Sequence, residues 1–336
     1  MKKVLMIIFG IFIVAGVLWW RFVALDYKKI VFVLPSSNRA SSPYFYKKDG
    51  DFFLANDLKL GFEKLGYKVE YRFREDYDDL KLGNIGNVIY FKGYYNYKTL
   101  PRDGVKNRKT ILYVYYIEGL HSQILAEADV VASASKKFVN EYVLANGYEG
   151  VYIPQYTNPM RFKDVDPIGD KQNEVLFVGS NHTGDGRKSV AYALLAGTNL
   201  SVYGKFWDNR LNRKVLKGSY IDNDELFKYY GNAKIVLNDH REDMLYFGFI
   251  SNRIYDVSAS GGFVLTDYVK EIEEEYGDSI AMYKDFEDFK QKLEYYLSHE
   301  NERKDMAKRA QKITLEKFTN VKAAEKFIDI LKNIKK

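Results

Sequence analysis

The 336-residue chain contains no cysteine. That excludes disulfides, thiolate metal sites, cysteine nucleophiles and attachment of lipid through a thiol. Histidine is nearly as scarce: His121, His182, His240 and His299 are far apart, so no His-rich metal centre is expected. With 6 prolines and 24 glycines the chain is too poor in both for a fibrous or linker-like protein. An apolar fraction of 46% places it among globular proteins rather than disordered ones. It has no repeat period and no low-complexity tract.

A strong field of one sign is missing too. The formal net charge is +6, but residues 1–29 hold Lys2, Lys3, Arg21, Lys28 and Lys29 against Asp26 alone. The rest of the chain carries a balance of only +2. A near-neutral body offers no basic stripe for a polyphosphate backbone, so nucleic acid is not an expected partner.

What is present begins with Val4–Trp20, seventeen residues without a polar side chain, flanked by Lys2-Lys3 and Arg21. As a helix it would span about 26 Å, enough for a thin hydrocarbon core. Trp19 and Trp20 beside Arg21 suit a membrane interface. The run is long for a signal-peptide core, and no small-x-small site follows it, so an uncleaved anchor is expected over a cleaved signal. Lys and Arg on its two sides number two and three, which does not set the orientation.

From Ile30 onward, short β-branched or aromatic runs alternate with helical stretches. Ile30–Leu34, Val69–Phe73, Val88–Phe91, Ile111–Ile117, Val130–Ala132 and Val151–Ile153 read as strands. Leu54, Leu58, Phe62 and Leu65 have helical spacing, and Ser135 reads as a helix cap. Pro154, Pro159 and Pro167 then cluster, marking an interdomain connection. Beyond them Val175–Gly179, Leu200–Gly204, Ile235–Asn238 and Phe263–Asp267 read as strands, and the chain turns helical after Glu287. Strand–helix alternation in both halves predicts two parallel-sheet α/β domains.

In such sheets ligands bind outside the carboxyl ends of strands. Three of those ends are unusually polar. Gly179 opens a Gly-rich turn leading to Arg187 and Lys188, a cationic pair able to meet phosphate at a helix start. Asn238-Asp239-His240-Arg241 follows an apolar strand, and His240 could bond a phosphate or a sugar hydroxyl. Ser251 is a natural cap for a helix beginning Asn252-Arg253, which would present N–H groups, a dipole and a guanidinium together. Asp256 lies on roughly the same face; an Arg253–Asp256 pair within the helix is the plainer alternative. The triplets Asp164-Val165-Asp166 and Asp222-Asn223-Asp224 read as loop and helix-entry residues rather than metal ligands.

The stretches Phe177–Gly179, Tyr203-Gly204-Lys205-Phe206-Trp207, Tyr229-Tyr230, Ile235–His240, Gly248–Asp256 and Gly261–Asp267 carry a resemblance. In order and spacing they resemble the CgeB-like (spore-protein-type) glycosyltransferases. Asp51–Ala55, Ala132-Ser133 and Pro154-Gln155 fit the same pattern more loosely. The resemblance implies an α/β fold of GT-B type, two Rossmann-like parallel-sheet domains facing a cleft, here preceded by one transmembrane helix. The resulting division is an anchor and flank over 1–28, an acceptor domain over 29–155 and a connection over 156–170. A nucleotide-sugar domain over 171–318 and a C-terminal helix over 319–336 complete it.

The resemblance also implies a nucleotide-sugar co-substrate, a glycan or lipid-linked cell-envelope acceptor, and no metal or other cofactor. Arg253 and His240 are then the expected catalytic residues. Gly179, Arg187, Lys188, Tyr203, Gly204, Asn238, Ser251, Asn252 and Asp256 are expected around the donor, with Asp256 on the ribose. Related retaining enzymes carry a glutamate eight positions earlier, where Gly248 stands here. Glu118 and His121, past the Ile111–Ile117 strand, are expected on the acceptor side. Nucleotide sugars are cytosolic in bacteria, which favours a body on the cytoplasmic face of the membrane. A two-lobed solute-binding protein and a catalytically silent sugar-nucleotide binder are the alternatives.

Overall fold

Runs of buried β-branched and aromatic residues form the centre of each half. The computed structural model describes residues 25–42, 44–93, 96–166, 169, 173–181, 186–207 and 210–336. In the first half, β1 (Asp26–Val33), β2 (Lys68–Arg72), β3 (Ile85–Lys92), β4 (Lys109–Val114), β5 (Val130–Ser133) and β6 (Gly150–Tyr152) form one sheet. All pairings are parallel, in the order β2-β1-β3-β4-β5-β6. Ile30–Leu34 and Val88–Phe91 are almost wholly buried, as expected for strands covered on both faces.

Helix α1 (Gly50–Lys64) follows β1, capped by Asp49, whose side chain accepts from the Asp51 N–H. After β5, Ser135 caps α2 (Lys136–Phe138), accepting from the Phe138 N–H. That helix loosens into a wider turn over Val139–Val143 and stops at Gly147, which has φ 79°.

The second sheet contains β7 (Asn173–Val178), β8 (Leu200–Tyr203), β9 (Leu216–Gly218), β10 (Ala233–Leu237), β11 (Val264–Asp267) and β12 (Ala281–Tyr283). Its order is β12-β11-β10-β7-β8-β9, again parallel throughout. Its helices are α3 (Lys188–Leu195), α4 (Leu226–Asn232), α5 (Glu242–Phe247), α6 (Asn252–Ala259), α7 (Lys270–Tyr276), α8 (Phe286–Ser298) and α9 (Glu300–Lys317). Strand order reverses between β1 and β3 in one sheet and between β7 and β10 in the other. These are the topological switch points where a crevice opens.

The last helix, α10 (Asn320–Asn333), leaves the second half and completes the core of the first. Ala323, Ala324, Phe327, Ile328 and Leu331 are buried with the β1, β3 and β4 side chains. Phe327 meets Tyr113 edge-to-face at 5.2 Å. At Gly61 on α1, an added Cβ would lie 2.4 Å from the Asn320 carbonyl oxygen, so glycine there permits this close approach. The chain crosses between domains twice, and the crossings run side by side. Thr157 N–H donates to Phe318 O at 2.9 Å, and Asn320 N–H donates to Thr157 O at 2.8 Å.

The strands β9 and β12, three residues each at opposite edges of the second sheet, were not expected from sequence. Among the described residues no helix is long and apolar enough to cross a membrane. The expected anchor, Val4–Trp20, lies outside the described residues.

Candidate active site

Between the domains lies a cavity of about 340 Å³. The first domain contributes Asp51 and Phe53 from the start of α1, and Tyr115 and Tyr116 after β4. The second contributes Ser251, Asn252 and Asp256 from the start of α6, and Gln155 and Arg161 come from the connection. Residues from the starts of two helices, α1 and α6, thus line the same space.

Asn238, fully buried after β10, accepts from Arg253 Nη1 at 2.6 Å and donates to Thr266 Oγ1 at 2.9 Å. Arg253 Nη2 donates to the Val178 carbonyl at the end of β7. The guanidinium therefore spans the β7–β10 switch point, lying over the Phe177 ring at 4.9 Å. Burial lowers its pKa, with Arg187 adding to that and Tyr230 opposing it. Sequence reading expected an accessible guanidinium at Arg253; instead both terminal nitrogens are engaged within the protein. Gly179 keeps the niche clear, since a Cβ there would lie 2.8 Å from Arg253 Nη2.

Gly204 lets two backbones meet: a Cβ on it would be 2.0 Å from the Gly179 oxygen. Tyr203 packs edge-to-face on Tyr229 at 5.3 Å. Lys188 is exposed at the start of α3, beside the Tyr192 ring. Arg187 is spent on Asp239: Nε donates to Oδ1 at 2.5 Å and Nη2 to the Asp239 carbonyl at 2.9 Å. Ser189 donates to the other carboxylate oxygen through N–H and hydroxyl. Burial works against the Asp239 charge, yet Arg187 and Ser189 hold its pKa below the usual carboxylate range. His182–Asp185, which precede Arg187 in the sequence, lie outside the described residues.

His240 is likewise occupied. Its Nε2 receives the Ser251 N–H at 3.0 Å, so that nitrogen bears no proton. The proton then sits on Nδ1, 2.6 Å from Asp267 Oδ1, while the His240 N–H donates to Asp267 Oδ2. In this arrangement His240 joins the β10 and β11 loops to the cap of α6 and has no free nitrogen for a substrate. Its expected catalytic part becomes one of positioning Ser251.

Asp256 is buried, accepting from Thr157 Oγ1 at 2.8 Å and from Asn252 Nδ2 at 2.8 Å. Burial raises its pKa to about 7, against the lowering pull of Arg161 and Thr157. Asp256 and Arg253 make no pair; the expected intrahelical alternative is absent, because the two side chains leave α6 toward different neighbours.

On the first-domain side, Glu118 accepts from the Tyr116 hydroxyl at 2.7 Å and pairs with Arg241 across the domains at 2.9 Å. The Tyr116 bond, then Arg241, keep its pKa low despite partial burial. His121 is exposed and precedes a short helical turn, away from the cavity lining. Of the acidic triplets, Asp164 accepts from Gln311 Nε2 and Asp222 from the Asp224 N–H. Among the described residues, no group of three His, Asp or Glu side chains could hold a metal ion.

Sequence reasoning missed Lys92, Asp57 and Arg161. Lys92 is fully buried at the end of β3. Its ammonium donates to the carbonyls of Gly93, Tyr116 and Glu118 at 2.6, 3.1 and 3.1 Å. Burial lowers its pKa to about 8, while Asp51, Glu118 and Asp243 pull it up. Asp57 on α1 binds Asn158 Nδ2 at 2.9 Å and the Arg161 guanidinium, tying the first domain to the connection.

Residues 187–329 match the model of a family described as glycosyl transferase-like. Over 239 residues the chain is 27% identical to spore protein CgeB of Bacillus subtilis (strain 168), covering 64% of this chain and 73% of that one. The sucrose-phosphate synthase structure from Thermosynechococcus elongatus superposes with a TM-score of 0.64 at 12% identity, covering 90% of this chain and 98% of that one. Anabaena HepE in complex with UDP and glucose gives 0.60 at 12% identity, covering 91% and 100%. An alpha-glucosyltransferase in complex with UDP-glucose and abasic DNA gives 0.62 at 10%, covering 91% and 99%. The family match lies over the domain that carries α6 and Arg253, and the likeness in fold runs through both domains: in sequence the chain is similar to CgeB and to the glycosyl transferase-like family, and in fold to glycosyltransferases of GT-B architecture.

Proposed function

We propose that this glycosyltransferase takes its sugar from a nucleotide-sugar donor whose diphosphate lies at the start of α6, without a divalent metal. The acceptor, a glycan or lipid-linked component of the cell envelope, approaches along the Tyr115–Glu118 side of the first domain. Val4–Trp20 holds the chain to a membrane, with the body on the cytoplasmic face. The observation that carries the donor reading is the convergence at the β7–β10 switch point. There the first N–H groups of α6, which lack intrahelical partners, adjoin Arg253, with Lys188 exposed at the start of α3. Relatives of the same fold hold UDP and glucose, or UDP-glucose, in their structures.

The leaving diphosphate gains charge as the glycosidic bond breaks. A helix start and a fixed guanidinium nearby stabilise that charge without reorganising. Arg253 is held by Asn238 and Val178, so its contribution is that of a fixed positive field beneath the loop. Ser251, placed by His240, supplies a hydroxyl at the cavity wall. Calorimetric titration of UDP with and without a chelator tests this. Binding is expected to persist with chelator; affinity abolished by it removes the metal-free reading. Fractionation of cells making the full chain and a form without residues 1–25 tests the anchor. Full-length protein in the soluble fraction would remove that part.

A further inference from the structure

The strands of the first sheet are all parallel, so their starts share one end of the domain, opposite the cavity at their carboxyl ends. Four distant segments meet at that end. The Tyr27 hydroxyl at the start of β1 donates to the Asn107 carbonyl at 3.0 Å. Lys109, which opens β4, lies over the Tyr27 ring at 5.2 Å and donates to the Leu331 carbonyl near the end of α10 at 2.6 Å. Lys28 lies over the ring of Tyr67, just past the end of α1, at 4.2 Å.

Residues 26–29, 64–68, 106–109 and 331–336 together hold ten Lys or Arg against Asp26 alone. Glu63, Asp103, Asp129, Glu149 and Asp329 beside them bring the acids to six, so four positive charges remain in excess. Residues 30–336 as a whole carry only +2, so the rest of the body has no positive excess. The fold thus gathers at one end a charge that the sequence spreads over the chain. Tyr27 is 40% exposed and Val105, on the loop before β4, 48% exposed, which puts a ring and an aliphatic tip among the lysines. Rings and lysine stems around charged heads suit the boundary between a bilayer and water. The chain also enters here: β1 begins at Asp26, and residues 21–25 alone separate it from Trp20, the last residue of the apolar run. Fully extended, those five residues reach at most about 18 Å.

We propose that this end of the first domain docks on the anionic headgroups of the membrane that holds Val4–Trp20, with Tyr27 and Val105 at the interface and the cavity turned away from the bilayer. The inference rests on the anchor reading for its tether and on the gathered charge for its lipid preference. The experiment separates the two.

Reconstitute the full-length chain into vesicles of phosphatidylcholine, alone or with one third phosphatidylglycerol, and follow acetylation of its lysines by mass spectrometry. On the anionic vesicles Lys28, Lys64 and Lys106 should react about tenfold more slowly than on the neutral ones. Lys290 and Lys308, exposed on the second domain, should react equally on both. Salt at about 0.5 M should remove the difference. A chain with Lys68→Gln, Lys106→Gln and Lys335→Gln, three exposed positions, should keep its melting temperature and lose the protection of Lys28 and Lys64. Equal reactivity on both vesicles, or equal protection of Lys290 and Lys308, overturns the proposal. A single-stranded oligonucleotide that protects this end when anionic vesicles do not overturns it in favour of nucleic acid. A full-length chain that does not float with neutral vesicles overturns the anchor instead. Salt-sensitive flotation of that chain with anionic vesicles would then still uphold the docking end, and its absence would overturn it.

Discussion

The Thr157 hydroxyl donates to Asp256 Oδ1 at 2.8 Å, joining the connection between domains to α6, the helix at the proposed donor site. The carboxylate receiving that bond is buried, and burial raises its pKa to about 7. Its unfolded counterpart ionises near 3.9, so between about pH 4 and pH 7 the folded chain binds more protons than the unfolded one. Stability from this residue is therefore full in acid and falls as pH rises through that window, by at most about 4 kcal/mol. Asn at 256 can accept from Asn252 and donate to the Thr157 hydroxyl. Asp256→Asn is expected to raise Tm relative to wild type at about pH 8 and to have much less effect near pH 5. Thermal melts of both proteins at both pH values check it; the same variant should bind UDP more weakly if Asp256 faces the ribose.

Lys92 gives an opposite pH signature. Its folded pKa of about 8 lies below that of a free lysine, near 10.4. The buried charge costs stability at low pH, and that cost is relieved as pH rises from about 8 to 10. A neutral amine, however, has two N–H groups for three carbonyls, those of Gly93, Tyr116 and Glu118. The groups facing it are Asp51 from α1, Tyr116 and Glu118 after β4, and Asp243 from α5. Sugar transfer should therefore decline above about pH 8 while melting temperature does not, and the decline should appear in acceptor KM. Lys92→Met should show the weakened acceptor binding at every pH; rate and melting profiles taken together decide it.

Arg253→Ala should cost both stability and function. Removing the guanidinium leaves Asn238 Oδ1 and the Val178 carbonyl unanswered, about 1–3 kcal/mol for each buried group. Nucleotide affinity should fall as well, and Arg253→Lys should restore only part because an ammonium cannot span both partners. Urea unfolding and UDP titration on each variant separate the effects. A folded variant with wild-type affinity and turnover would confine Arg253 to a structural role.

Gly204→Ala should be strongly destabilising, since the added methyl would sit 2.0 Å from the Gly179 oxygen. Relieving that overlap requires one loop to move, at a cost of about 1–3 kcal/mol or more. The displaced Gly179 loop borders Arg253, so loss of UDP affinity should accompany the lower urea midpoint.

The central strands were legible because burial on both faces forces apolar runs such as Ile30–Leu34 and Ile235–Leu237. β9 and β12 were not, because a three-residue edge strand such as Leu216–Gly218 contains a lysine and carries no pattern to read. The start of α6 could be read from local sequence, since Ser251 stands directly before its helix, although its side chain makes no capping hydrogen bond. Arg187 and His240 looked available for a ligand because Asp239 and Asp267, which occupy them, are brought in by the fold. Lys92 and Arg161 failed from the other direction. The partners of Arg161 on α1 are about a hundred positions distant, and a lone lysine after an apolar strand looks like a strand end in solvent.

The position of α10 sets a timetable for synthesis. Phe327 and Leu331 belong to the same core as Ile30 and Val88, so the domain made first stays unfinished until the ribosome has passed the whole of the second. The second sheet can close without it, its strands and covering helices being complete by Lys317. The nascent chain would thus carry an open apolar groove along α1 for most of its elongation. The Asn320 backbone, lying against Gly61 at the second crossing, is where that groove begins to close.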